Sequence, residues 1–378
     1  MSKWKETKLA DICNDISYGY TESASIEEIG PKFLRITDIA NGRLIWDKVP
    51  YCPITDSNFN KYRLYPGDII IARTGATTGA NYTIKPNDPT NVVFASYLIR
   101  YKINEKVAYP YFIGQLLQSN IWNEYVDAIA GGSAQPGANA KELGSFDISL
   151  PPLPEQKAIA EVLSRLDDKI DLLHRQNETL EKMAETLFRK WFVEDADDSW
   201  EEKKLGEIGE IKAGGDKPKV YSDIKTANCN IPIYSNGISN EGLYGYTDTA
   251  RIISESITIS ARGTIGFISL RQEPYFPIVR LISITPDENI VSSKYLYLWA
   301  KSQNISGTGT TQQQLTVPDI STRRITIPPL KLMNEFTQTV ESFFSKKQFN
   351  KSQIQTLEKL RDTLLPKLIS GEVRVEGV

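Results

Sequence analysis

The sequence predicts an α+β protein in which two mixed α/β domains alternate with two long helices as a pseudo-two-fold internal repeat. Three observations predict it. The stretch Trp4–Ile12 returns at Trp200–Ile208 with five of nine positions identical. The stretch Thr179–Leu187 returns at Thr356–Leu364 with six of nine identical. Through the second stretch, in both copies, seam residues recur in steps of four and three, as in a coiled-coil helix.

The first match is spaced by 196 residues and the second by 177. The spacing of 177 also aligns Pro151-Pro-Leu153 with Pro328-Pro-Leu330, and Gly132 and Gln135 with Gly309 and Gln312. The first copy therefore carries 19 more residues ahead of its Pro-Pro. A constant frame holds two globular parts that differ. The expected division is a first variable domain at 1–150, a long helix and linker at 151–199, a second variable domain at 200–327, and a second long helix with a tail at 328–378.

In the first domain, Asp68–Arg73 reads as a strand running into the glycine turn Thr74–Gly79, and Tyr109–Gln118 reads as a helix. In the second, Ser256–Arg262 and Gly263–Gly266 repeat the strand and turn, and Ser293–Lys301 repeats the helix. Prolines 151, 152, 154, 328 and 329 mark the helix starts. The first seam runs through Leu163, Leu166, Ile170, Leu173, the polar Asn177, then Leu180, Ala184, Leu187 and Trp191. The second runs through Phe336, Val340, Phe343, Lys347, Asn350, Ile354, Leu357, Arg361, Leu364 and Leu368, and is poorer for its three polar members. Matched rods at matched places favour pairing with each other or with a partner's helices. The acidic stretch Trp191–Trp200 reads as the linker between halves.

Charge alone does not suggest a nucleic-acid partner. The 378 residues carry a net −3, where duplex binding ordinarily wants a basic surface. The deficit is local: residues 151–199 hold 7 basic and 12 acidic groups, whereas 200–327 hold 14 and 13. Three scattered cysteines and one histidine argue against a zinc site and for free thiols in a reducing compartment. No apolar run reaches a membrane span of ~20 residues, and the N-terminal residues lack a signal-peptide core. A cytoplasmic protein with no membrane association is expected.

No catalytic residue stands out. Amino-group methyltransferases need an acid or amide ahead of Pro-Pro-aromatic. Here Leu150 and Ile327 precede Pro-Pro and leucine follows. Glu6–Lys8 and Glu155–Lys157 are charged triplets of a common kind rather than a nuclease cluster. His174 lies beside the seam. Arginines and amides are the natural readers of major-groove base edges. The resemblance given next implies contact with DNA, for which the candidates are Arg73, Thr74, Arg262 and Thr264 at the glycine turns, and Gln135, Gln312 and Gln313 in glycine-rich loops. Tyr18, Tyr20, Lys212 and Lys217 lie in a second pair of such loops. Arg35, Ser235 and Asn236 complete the set. A fused enzyme with an unrecognised site, or a coiled-coil scaffold or ligand-binding module without sequence preference, are the other readings.

The motifs Trp4 to Leu9, Ala72 to Gly75, Pro151 to Ile159 and Leu187 to Val193, with the second copy ending in Leu364 to Val373, resemble the specificity subunits of type I restriction–modification enzymes. The resemblance covers nearly the whole chain. It implies that each variable domain is a target-recognition domain for one half of a split site on double-stranded DNA, and that the long helices form an antiparallel coiled coil separating them. It further implies that two methyltransferase subunits dock on the helices, that restriction subunits can join, and that S-adenosylmethionine is held by the methyltransferase partners, with no cofactor on this chain. The second copy departs from the pattern: Lys331-Leu-Met-Asn-Glu335 follows its Pro-Pro-Leu where the first copy has Pro-Glu-Gln.

Overall fold

A computed structural model describes residues 4–40, 43–130, 137–303, 305 and 314–375. The chain forms two compact units, Met1–Leu172 with Gln353–Val378, and Leu173–Ser352. Each unit joins one variable domain to a piece of both long helices, which run Leu153–Arg189 and Leu330–Ile369.

The first unit contains β1 (Lys5–Lys8), β2 (Cys13–Tyr18), β3 (Lys32–Leu34), β4 (Asp68–Ala72), β5 (Asn81–Thr83), β6 (Val92–Phe94), β7 (Leu98–Ile103) and β8 (Asp147–Leu150). β1 pairs antiparallel with β8, so the start of the domain is clasped to its end just ahead of the long helix. A four-stranded antiparallel sheet runs β2-β7-β4-β5, and β3 lies parallel to β6. All five residues of β4 are buried, as its unbroken Ile-Ile-Ile demands. Ile69, Ile71, Tyr101, Phe112, Trp122 and Ile148 share a core with Ile159, Ala160 and Leu163 of the first long helix and Leu365, Leu368 and Ile369 of the second.

The second unit repeats the plan with β9 (Glu201–Lys204), β10 (Gly209–Ala213), β11 (Ile231–Tyr234), β12 (Leu243–Thr247), β13 (Ser256–Ile259), β14 (Ile268–Arg271), β15 (Phe276–Pro277), β16 (Ile282–Pro286) and β17 (Arg324–Ile327). β9 pairs with β17, the four-stranded sheet runs β10-β16-β13-β14, and β11 lies parallel to β15, with β12 added on its other side. Helix Ser293–Ser302 answers Pro110–Leu116. The duplication expected from the sequence is thus a duplication of topology.

The two long helices pair antiparallel. In the first unit the start of one shares a core with the end of the other. In the second unit Ala184, Phe188 and Phe192 pack with Met333, Phe336, Val340 and Phe344. The polar residues that weakened the second seam each have a partner on the first helix. Arg361 Nη1 meets Asp167 Oδ1 at 3.1 Å. Asn350 Nδ2 donates to Asn177 Oδ1 at 2.9 Å, and Lys347 pairs with Glu181.

The seam drifts from its expected register. Leu163, Ile170, Leu173 and Ile354 are buried, while Leu166, Leu180, Leu187, Phe343, Leu357 and Leu364 are only half-buried. At Phe188 and Phe192 on the first helix, and at Phe344 and Leu365 on the second, the buried residue is the one after the seam position, whereas Phe336, Val340 and Leu368 keep the seam. An α-helix of about 3.6 residues per turn does not hold a strict 3.5 repeat, so the buried stripe is wider than the seam. The linker also begins later than Trp191. Lys190–Glu194 form a π-helical turn, and Phe192 sits inside the core against Tyr295 and Phe336, with ring centroids 4.8 Å from each. An apolar Trp-Phe-Val inside an acidic stretch therefore reports the end of the helix rather than a solvated tether.

Candidate nucleic-acid interface

In both units the turn after the central strand of the sheet meets the end of the first sheet strand and the turn that enters the adjacent strand. In the first unit these are the ends of β4 and β2 and the turn before β7. Gly19 N donates to Leu98 O at 3.2 Å and Arg73 N to Tyr97 O at 3.1 Å. In the second unit Gly214 N donates to Leu281 O at 2.8 Å. The loops at Ile16–Tyr20 and Lys212–Lys217 are therefore counterparts, as their glycines suggest. The glycines are needed there: a Cβ on Gly19 would lie 2.3 Å from Ala95 O, and one on Gly214 would lie 2.8 Å from Ile278 N.

At this end of the first unit Arg73 lies between two exposed tyrosines. Its guanidinium carbon is 5.1 Å from the Tyr18 ring centroid and 5.9 Å from that of Tyr97. Its Nε donates to Ser96 O at 3.2 Å, and the Tyr18 hydroxyl accepts from Ala140 N at 3.1 Å. The arginine is held in one pose with donors to spare. Thr74 bridges Gly137, and Ala138 N donates to Arg73 O at 2.9 Å, so the downstream flank of the Gln135 loop is tied to this turn.

The second unit presents a different surface. Lys217, Arg262 and Arg280 line a shallow groove with Gly214, Gly215, Asp216 and Val279. Arg262 Nε and Nη2 donate to Gln314 Oε1 at 3.0 and 2.6 Å. Lys217 Nζ sits 2.9 Å from the ring centroid of Tyr221 and 5.1 Å from that of Tyr244, both exposed. Thr264 is exposed on the glycine turn.

Arg73 and Arg262 are not equivalent, although both follow alanine. Ala138 N donates to Arg73 O, whereas its counterpart Leu315 N donates to Ala261 O at 3.0 Å. Likewise Gly79 N returns to Ala72 O and Gly266 N to Ser260 O. Ser260 and Ala261 thus match Ala72 and Arg73, so Arg262 stands where the first unit has Thr74, and the second turn is one residue shorter. A one-residue slip at the end of a strand sends the side chain to the other face.

The remaining described candidates each contact other parts of the protein. The Arg35 guanidinium and backbone N–H both bind Asp38, capping the short helix Ile36–Ile39. Tyr20 is half-buried against Tyr62, with ring centroids 5.3 Å apart. Lys212 pairs with Glu210 at 2.6 Å. Ser235 Oγ donates to Gly242 O at 3.4 Å. Asn236 spans two turns: its Oδ1 accepts from Ala261 N at 2.8 Å and its Nδ2 donates to Val279 O. Gln135, Gln312 and Gln313 lie outside the described residues. Sequence reasoning missed Tyr97 and Arg280, which occupy matching places one residue before Leu98 and Leu281. Neither belongs to a motif, and only the paired strands bring them to the site. Among the described residues, no group of three or more His, Cys, Asp or Glu side chains could hold a metal ion, and no helix is long and apolar enough to cross a membrane.

The comparisons with known proteins agree on one family. The profile of the type I restriction modification DNA specificity domain matches twice, over residues 1–182 and 197–359. The MjaIX type I restriction enzyme specificity subunit of Methanocaldococcus jannaschii is 28% identical over 99% of this chain and 94% of its own length. The HindI specificity subunit of Haemophilus influenzae is 24% identical over 99% and 100%. The fold is that of the type I restriction–modification S subunit from M. genitalium, with a TM-score of 0.60 at 18% identity over 97% of this chain and 96% of that one. With both copies of the domain matched and the duplicated topology in place, the chain belongs to the DNA specificity subunits of type I restriction–modification systems.

Proposed function

We propose that each variable domain reads one half of an asymmetric, two-part site on double-stranded DNA, and that the chain itself performs no catalysis. The observation that carries this is one frame bearing two different surfaces. At matching positions the first unit places Tyr18, Arg73 and Tyr97, and the second places Ala213, Ala261 and Arg280. The same scaffold with different hydrogen-bonding groups reads different bases, so the half-sites differ. Two methyltransferase subunits dock along the long helices and bring S-adenosylmethionine, restriction subunits join that assembly, and the complex works in the cytoplasm.

The test is to replace residues 200–327 with the corresponding domain of another specificity subunit and map methylation across the host genome. One half of the methylated motif should change while the other stays. A motif altered in both halves, or in neither, overturns the modular reading. The purified chain should neither methylate nor cleave DNA, and activity that persists after rigorous removal of partner subunits overturns that part. In a gel-shift assay with methyltransferase subunits present, a scaffold would add no sequence preference, whereas a specificity subunit should.

A further inference from the structure

We infer that Arg280 is a specificity-determining residue of the second domain, reading a guanine in the major groove, and that Asn236 is the positioning residue that sets its turn. The inference rests on the DNA-reading role proposed above and names the base class and the residues behind it.

The turn Ile278–Leu281 is closed by Leu281 N donating to Ile278 O at 3.1 Å, and both central residues have positive φ, 51° at Val279 and 58° at Arg280. This is the backbone pattern of a type I′ turn, which strongly favours Asn-Gly. A β-branched valine in that region is an outlier, and such strain collects at binding sites. The first domain closes the matching turn, Ala95–Leu98, with Leu98 N on Ala95 O at 2.9 Å and no positive φ. The second domain thus uses a strained turn where an ordinary one suffices.

The strained turn is pinned on both sides. Val279 N donates to Gly215 O at 2.9 Å and Arg280 N to Gly214 O at 3.0 Å. Asn236 Nδ2 donates to Val279 O, while its Oδ1 accepts from Ala261 N, one residue before Arg262. One amide therefore fixes the turns that carry both arginines. The Arg280 side chain is exposed and, among the described residues, no carboxylate pairs with it. It shares its groove with Arg262 and Lys217 against the single carboxylate of Asp216. A guanidinium carried on a pinned backbone, with its planar fork unspent, matches the O6 and N7 acceptors of guanine.

The experiment uses the complete methyltransferase complex carrying Arg280→Gln or Asn236→Ala, with methylation mapping and equilibrium binding to site-bearing and site-free duplexes. Arg280→Gln should remove a guanine requirement at one position of the second half-site, leave the first half unchanged, and weaken binding to the original site by roughly 5- to 150-fold. Asn236→Ala should relax the same position without changing the salt dependence of binding, because no charge is lost. Arg280→Gly, which fits the positive φ, should raise Tm and still relax the motif, separating recognition from folding. An unchanged motif, or an equal loss of binding on all duplexes, overturns the assignment. A motif that Asn236→Ala leaves intact overturns the positioning role. If exchange of the whole domain also leaves the motif unchanged, the general reading fails. If that exchange switches the motif and Arg280→Gln does not, only this inference fails.

Discussion

Asn350 is fully buried where the two long helices meet in the second unit, and replacing it with leucine should stabilise the protein. Its Nδ2 has a partner in Asn177 at 2.9 Å, but among the described residues its Oδ1 has none. Taking such an amide out of water costs ~1–3 kcal/mol, and its one hydrogen bond returns only ~0.5–1.5 kcal/mol. A leucine, branched at the same carbon but larger for its two methyls, contributes ~1.5–3 kcal/mol by burial, less about 1 kcal/mol for imperfect fit. The Asn177 left behind is half-exposed and can turn to water. At mid-range these terms leave a net gain of about 2 kcal/mol. At ~2–4 °C per kcal/mol for a unit of this size, Tm should rise by ~4–8 °C. Calorimetry on Asn350→Leu measures it, with Asn350→Ala as control. The control loses the bond, leaves a void and should melt lower. A fall in Tm for Asn350→Leu would refute the reasoning and make the polar contact a net source of stability. The expected rise would leave the amide pair as a device for helix register, kept at a cost in stability.

Arg73→Lys keeps the charge but loses the planar fork. It should relax the first half of the methylated motif only, with a stability change below ~1 kcal/mol because exposed cation–π contacts are weak; an unchanged motif removes Arg73 from recognition. Phe336→Ala should cost ~3–5 kcal/mol in chemical unfolding, since Phe336 is fully buried among Phe188, Trp191 and Phe192, and a loss under ~1 kcal/mol would mean this helix contact is not core. Burial pushes the thiol of Cys13 up to about 12 and that of Cys52 up to about 11, from 9.0. At pH 8 both should resist a thiol reagent in the native protein and react on unfolding; rapid native labelling contradicts the burial. Because the folded state holds these protons above pH 9, where the unfolded chain releases them, stability should fall as pH rises from 9 toward 12.

The duplication, the two helices and the family are all legible in the amino-acid order. Each is written in local patterns: Trp4–Ile12 against Trp200–Ile208, apolar steps of four and three, and prolines at helix starts. Such signals survive because propensity and periodicity act over a few residues. The strand and turn at Asp68–Gly79 and the helices near Tyr109 and Ser293 were legible for the same reason. Which loop residues meet follows from strand pairing instead. Tyr18, Arg73 and Tyr97 are far apart in sequence and adjacent only because β2, β7 and β4 pair in that order. Ser260 and Ala261 take the places of Ala72 and Arg73, which puts Arg262 one residue beyond the position of Arg73, and no local pattern carries that slip because it is defined by hydrogen bonds to Ala261 and Ser260. The polar members of the second seam looked like defects until the antiparallel pairing supplied Asp167, Asn177 and Glu181 as their partners. A long-range partner is fixed by packing and strand register, and neither is encoded within a window of the chain.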